Sequence, residues 1–250
     1  MIVYFGDRPF DAEWVAFDKD GTLIAFEVMW GRLAEAWVDR LAGAAGQGTL
    51  RQELYRSLGY DPVQQRTKPQ SPLAIATTGE LQTIMAVTLY RHGTSWPDAH
   101  ERVRSAIEAG DELSLADLVQ SAGDVGSLFG RLRDAGIGVA VVTTDARADT
   151  EETLRLLGVD HLVDSVVCGD DGLVSKPAPD MLLAASEGLG QGLERCAVVG
   201  DTLGDLGMAE RAGAGLRVAV LTGAGDPTIL AQHADVVLES IDDIRVADGL

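Results

Sequence analysis

Residues 17–23 read Phe17-Asp18-Lys19-Asp20-Gly21-Thr22-Leu23 (FDKDGTL), and they follow the apolar run Trp14-Val15-Ala16. The apolar run is short and continuous, the pattern of a strand buried on both faces. The chain then leaves that strand with Asp18 and Asp20 two residues apart, followed by a glycine. Two carboxylates so close repel one another, and each is costly to desolvate while ionised. A turn needs no such pair, so a cationic group is expected between them. Strand alternation puts Asp18 and Asp20 on one side and Lys19 on the other. On that reading Lys19 points away and takes no part in chemistry.

Further runs of the same kind recur along the chain. They lie at 137–142, 163–168, 196–199, 216–221 and 235–238, rich in valine and separated mostly by helical patterns. One such helix carries Val125, Leu128, Phe129 and Leu132, with Asp124 placed to cap its start and Gly136 to end it. Buried strands alternating with helices predict an α/β fold with a doubly wound parallel sheet. Residues 26–122 break the rhythm. Trp30, Leu33, Trp37 and Leu41 mark one helix there, and Leu50, Leu54 and Leu58 mark a second, ended by Gly59. Thr77 and Glu80 form a capping-box pattern before a third. A fourth starts at Ser95 and runs to about Gly110. The Pro- and Gln-rich stretch 59–72 reads as a loop. The expected organisation is a core of 1–25 and 123–250 with an all-helical insert over 26–122.

Composition narrows the function. The chain has 250 residues, 46% hydrophobic and 24% charged, as ordinary globular domains have. A net charge of −19 argues against a nucleic-acid-binding surface and against an anionic membrane surface. Any anion site must be built locally from a metal, backbone amides or a few cations. No apolar run is long enough to span a membrane, and 1–11 lacks a signal-type pattern, so a cytoplasmic location is expected. Cys168 and Cys196 read as small buried thiols rather than a disulfide framework. The only lysines are Lys19, Lys68 and Lys176.

In an open parallel sheet, ligands bind beyond the carboxyl ends of the strands. Polar residues gather at those ends. Asp18-Lys19-Asp20-Gly21-Thr22 follows the first strand, Thr143-Thr144-Asp145 follows the run at 137–142, and Gly200-Asp201-Thr202 follows the run at 196–199, with Asp205 four residues past Asp201. Lys176 stands in the loop SKPAPD before a helix. These pieces would converge on one rim.

The stretches DKDGTL, VVTTD, SKPAPD and VVGDTLGD resemble, in order and spacing, the four motifs of the haloacid dehalogenase-like hydrolase superfamily. The insert after the first motif resembles the helical cap of its phosphoglycolate phosphatase-like branch. The resemblance implies a Mg²⁺-dependent phosphatase acting on a small phosphorylated metabolite. Asp18 would be the nucleophile. Asp20 would be general acid, then general base. Mg²⁺ would be held by Asp18, the Asp20 backbone carbonyl and Asp201. Asp20, Gly21, Thr143, Thr144 and Lys176 would surround the phosphate, and Asp205, one layer further out, would hold Lys176 in place or touch the metal's waters.

Asp20 favours phosphate-ester chemistry over the dehalogenase and phosphonatase branches, which lack an acid there. A phosphonatase would also need a cap lysine, for which Lys68 alone is available. A sugar phosphomutase of the β-phosphoglucomutase type shares the four motifs and stays open. A phospho-acceptor or binding module is the non-enzyme alternative. Within the insert, Thr77, Thr78, Arg91 and His92 are candidate specificity residues.

Overall fold

The computed structural model describes residues 1–43, 48–108 and 114–247. The chain divides into two compact units, Met1–Phe26 with Val119–Leu250, and Glu27–Leu118.

In the first unit, β1 (Ile2–Phe5), β2 (Arg8–Asp11) and β11 (Ile244–Val246) form an antiparallel sheet in the order β11-β1-β2. Sequence patterning does not predict it. The main sheet has six strands, all pairing in parallel: β3 (Trp14–Phe17), β6 (Gly138–Val142), β7 (Ser165–Val167), β8 (Cys196–Gly200), β9 (Leu216–Val220) and β10 (Val236–Leu238). Their spatial order is β10-β9-β8-β3-β6-β7. The chain runs outward from β3 through β6 to β7, then crosses to the other side of β3 for β8, β9 and β10. The order therefore reverses between β3 and β8, where a doubly wound sheet opens a crevice at its carboxyl edge.

Side-chain alternation within β3 sorts the core into two layers. Val15 and Phe17 pack on one face with Val139, Val141 and Val199, under Leu128, Phe129 and Leu132 of α7 (Val125–Asp134). Trp14 and Ala16 pack on the other face with Ala140, Val142 and Val198, under Met181 and Leu182 of α9 (Asp180–Leu189) and Met208 of α10 (Leu203–Ala212). Fully burying each of the Val, Leu, Phe and Met side chains contributes about 1.5–3 kcal/mol. The helix α8 (Arg147–Leu156) lies in the chain between β6 and β7, and α11 (Pro227–His233) between β9 and β10. Asp124 accepts the Ser127 amide at the start of α7, and Gly136 lies beyond its end with φ +72°, as the capping pattern predicts. Cys168 and Cys196 are buried free thiols.

The second unit holds α1 (Arg32–Ala42), preceded by a π-helical turn over Glu27–Gly31, then α2 (Gly48–Leu58), α3 (Pro72–Ile75), α4 (Thr78–Arg91), α5 (Trp96–Glu108) and α6 (Leu115–Leu118). Trp37, Leu54, Leu81, Met85, Leu89 and Val103 form its core. The end of the fourth helix expected at 109–110 falls outside the described residues. This unit is not all-helical. Within the stretch read as a loop, β4 (Tyr60–Asp61) and β5 (Arg66–Thr67) form a two-stranded antiparallel pair. Its turn is held by Asp61, whose carboxylate accepts the amides of Val63 and Gln64, and Thr67 is tied by its amide and hydroxyl to Glu27. Two-residue strands are too short to leave a periodic signal.

Candidate active site

β3 and β8 are neighbours, and the Asp18 amide donates to the Val199 carbonyl. This pairing brings Asp18 and Asp201 to the carboxyl edge side by side. The carboxylates of Asp18, Asp201 and Asp205 lie within 4.8 Å of one another. Lys176 Nζ donates to Asp18 Oδ1 and to Asp205 Oδ1, both at 2.6 Å. Burial works against the charge on Lys176, but the two carboxylates override it and hold its pKa above the ordinary lysine value.

Asp205 has a fixed place. It is the third residue of α10, and it accepts the Thr202 amide at 3.0 Å and the Thr202 hydroxyl at 2.6 Å through Oδ2. The Thr202 hydroxyl in turn accepts the Asp205 amide, completing a capping box. Both oxygens of Asp205 are thus engaged, one on the helix start and one on Lys176. This places the Asp205 carboxylate against Lys176 on the side of the helix start.

Asp201 is almost wholly buried. Its Oδ2 accepts the Ala224 amide at 2.9 Å, and its Oδ1 has no hydrogen-bond partner. Two glycines make room for the carboxylate. A Cβ on Gly223 would lie 1.8 Å from Asp201 Oδ2, and one on Gly21 would lie 2.6 Å from the same atom. Gly21 also has φ +85°, a conformation glycine adopts without strain. The Thr222 hydroxyl donates to the Gly21 carbonyl at 2.5 Å, tying the turn after β3 to the loop after β9.

Three carboxylates against one ammonium leave this cluster two negative charges in excess when all are ionised. Burial, against the opposing pull of Lys176, leaves the Asp18 pKa raised to about 7; Asp201 is pushed well above the carboxylate range by burial, then by Asp18 and Asp205. Such a cluster is completed by protons or by a divalent cation. Hard carboxylate oxygens, one of them buried and unpartnered, fit Mg²⁺.

Thr143 is buried at the end of β6, and its hydroxyl oxygen accepts the Asp145 amide at 3.2 Å. The hydroxyl proton stays available to an acceptor in the crevice. Thr144 is exposed at the same turn.

Lys19 departs from expectation. It is fully buried, and its Nζ reaches both oxygens of Asp20, at 2.8 and 3.0 Å, and Asp145 Oδ2 at 2.9 Å. β3 ends at Phe17 and Lys19 lies in the turn beyond it, so strand alternation no longer sets its direction and the long side chain reaches Asp20. So each aspartate of the opening motif has its own lysine, Lys176 on Asp18 and Lys19 on Asp20. Sequence reasoning sets Lys19 aside, names Asp145 only among the polar residues beyond a strand end, and misses Thr222, Gly223 and Ala224. The last three follow β9 in the Gly-rich stretch LTGAGD, and the strand-end rule applied there would have found them.

In the second unit Thr77 is the N-cap of α4. Its hydroxyl accepts the Glu80 amide and donates to the Glu80 carboxylate, so its polar atoms serve the helix start. Thr78 is half-buried, and Arg91 and His92 are exposed at the end of the same helix.

The model of the haloacid dehalogenase-like hydrolases matches residues 12–213. The chain belongs to this family. A pyrophosphatase PpaX from Halalkalibacterium halodurans is 32% identical over 113 residues, 45% of this chain and 53% of that protein. A phosphoglycolate phosphatase from Neisseria meningitidis is 36% identical over 101 residues, 40% of this chain and 43% of that protein. The aligned part thus spans about half the length of these curated relatives. A predicted phosphoglycolate phosphatase from Haemophilus somnus shares the fold, with TM-score 0.70 over 93% of this chain and 96% of that one, at 18% identity. Among the described residues no helix is long and apolar enough to cross a membrane.

Proposed function

We propose that this chain is a Mg²⁺-dependent phosphatase that hydrolyses a small phosphorylated metabolite through a phosphoryl group carried on Asp18. The observation that supports it most is the joint placement of Asp18, Lys176 and Asp205 around 2.6 Å contacts, beside the unpartnered Oδ1 of Asp201. A carboxylate nucleophile needs no base to activate it, and the site offers countercharge for a phosphate arriving at an acidic protein.

Asp18, Asp201 and the backbone carbonyl of Asp20 are the groups that would hold Mg²⁺. When bound, the ion would offset the repulsion between the carboxylates and the phosphate. In the first step a carboxylate oxygen of Asp18 bonds to phosphorus, and the bond to the ester oxygen breaks. That oxygen takes the proton of the Asp20 carboxyl and leaves as an alcohol. In the second step water bonds to phosphorus, Asp20 takes back a proton, and the Asp18–phosphorus bond breaks to release phosphate. Lys176 neutralises charge on Asp18 and on the phosphoryl oxygens, and Thr143 donates its hydroxyl to one of them.

The substrate class rests on the phosphatase names of the relatives, so pyrophosphate belongs in the test panel beside phosphate monoesters. Location in the cytoplasm, the second unit as a substrate-selecting cap, and specificity at Thr77, Thr78 and Arg91 are parts of the same proposal. The deciding assay is phosphate release from such a panel with Mg²⁺ and with chelator, for the native chain and Asp18→Asn. Release that needs Mg²⁺ and Asp18 supports the reading. Release that needs neither, or turnover only with a sugar bisphosphate activator and no free phosphate, overturns it.

A further inference from the structure

The geometry points to Lys19, backed by Asp145, as a positioning residue that aims the Asp20 carboxyl group at the leaving oxygen. The inference rests on the proposed reaction and adds two residues to it.

Lys19 is fully buried, which is unusual for a lysine and costly unless it is paired. Its backbone is fixed: the Lys19 carbonyl accepts the amides of Thr22, Leu23 and Ile24, which builds the turn that carries Asp20 and Gly21. Its side chain is fixed as well. Nζ contacts both carboxylate oxygens of Asp20 and one of Asp145.

The partner comes from the adjacent strand. β3 and β6 run in parallel with Phe17 opposite Val141, so the segments that leave them stay side by side. Asp145 is nearly buried, and its amide donates to the Thr143 hydroxyl oxygen. One chain of contacts therefore runs from Asp20 through Lys19 and Asp145 to Thr143. It links the group assigned to proton transfer with a group assigned to the phosphate. An ammonium that touches both oxygens of a carboxylate limits its rotation about Cβ–Cγ, and Asp145 in turn keeps that ammonium in place. Without this clamp the Asp20 carboxylate, which is partly open to solvent, would sample other rotamers. Lys19 touches neither the phosphate nor the reacting oxygen in this arrangement; it acts through Asp20.

The test separates positioning of an acid from general damage. p-Nitrophenolate leaves without needing a proton, whereas an alkoxide needs one. The measurement is the first-turnover release of p-nitrophenolate from p-nitrophenyl phosphate, and of alcohol from a simple alkyl phosphate, with Mg²⁺. The variants are Lys19→Met, Asp145→Asn and, for reference, Asp20→Asn. Lys19→Met should slow alcohol release by roughly a hundredfold, the scale of a lost general acid. It should leave the p-nitrophenolate burst within about threefold, with KM changed little for either. Asp145→Asn should show the same selectivity at about tenfold, and it carries the test if Lys19→Met does not fold. Equal losses for both leaving groups, or no loss for either, overturn the inference. If Asp20→Asn shows the leaving-group selectivity while the Lys19 and Asp145 variants do not, the proposed reaction stands and the clamp is wrong. If the native chain turns over neither ester, or Asp20→Asn loses nothing, the proposed reaction fails and the clamp fails with it.

Discussion

Gly223→Ala places a methyl group on the carboxylate of Asp201. The added Cβ would sit 1.8 Å from Oδ2, 2.2 Å from Cγ and 2.6 Å from Cβ of that residue. Ordinary contacts of this kind are about 3.5 Å, so the overlap falls on the whole side chain and not on one flexible end. Asp201 has nowhere to turn, because Oδ2 is held by the Ala224 amide and a second glycine, Gly21, closes the other approach. The loop after β9 or the carboxylate must move. Overpacking of this kind costs about 1–3 kcal/mol. Losing the hydrogen bond from the Ala224 amide costs about 0.5–1.5 kcal/mol more. A melt of the metal-free protein should therefore fall by on the order of 10 °C for a chain of this size. The unpartnered Oδ1 moves with its carboxylate, so the Mg²⁺ concentration that half-activates phosphate release should rise by about tenfold or more, a factor worth about 1.4 kcal/mol. Thermal denaturation and a Mg²⁺ titration of activity read the two effects separately. A variant with native melting temperature and native Mg²⁺ requirement would refute the claim that these glycines seat Asp201.

Gly130 is the opposite case. It lies inside α7, and a Cβ there would meet nothing within 4 Å, so Gly130→Ala should stabilise the protein by about 0.5–1 kcal/mol and raise the melting temperature by a few degrees. Linkage gives a pH prediction for the carboxylate cluster. Burial raises the Asp18 pKa from its ordinary value of 3.8 to about 7, so the metal-free folded chain holds a proton that the unfolded chain has released between those values. That contribution to stability is fully present below about pH 4 and is lost as pH rises to about 7. Mg²⁺ competes with protons for the same oxygens, so it should raise the melting temperature more at pH 8 than at pH 5. Equal shifts at both pH values would count against these carboxylates as the ligands.

What the sequence made legible follows from where the information sits. Asp18, Thr143 and Asp201 each stand just past a valine-rich run, and a strand buried on both faces has few other readings. The rule that ligands lie beyond carboxyl ends then brings them together before any coordinates are known. Lys176 and Asp205 follow from motif spacing. The Lys19 contact with Asp20 is hidden because the strand ends at Phe17, so alternation does not reach a residue in the turn beyond it. Asp145 is a turn residue until the neighbouring strand is in place. The antiparallel sheet escapes the pattern because β2 is largely exposed and contains Pro9, and β11 comes from the far end of the chain. The Gly6-Asp7 pair between β1 and β2 was the local sign of that hairpin, with Gly6 at φ +59°.

The most direct measurement is the site of covalent phosphorylation. Protein mixed with Mg²⁺ and a turned-over phosphate ester, quenched in acid within one turnover and digested, should yield a peptide containing Asp18 that carries one phosphoryl group; Asp18→Asn should yield none. Turnover without any phosphorylated peptide, or with the phosphoryl group on another residue, would contradict the assignment of Asp18 as nucleophile.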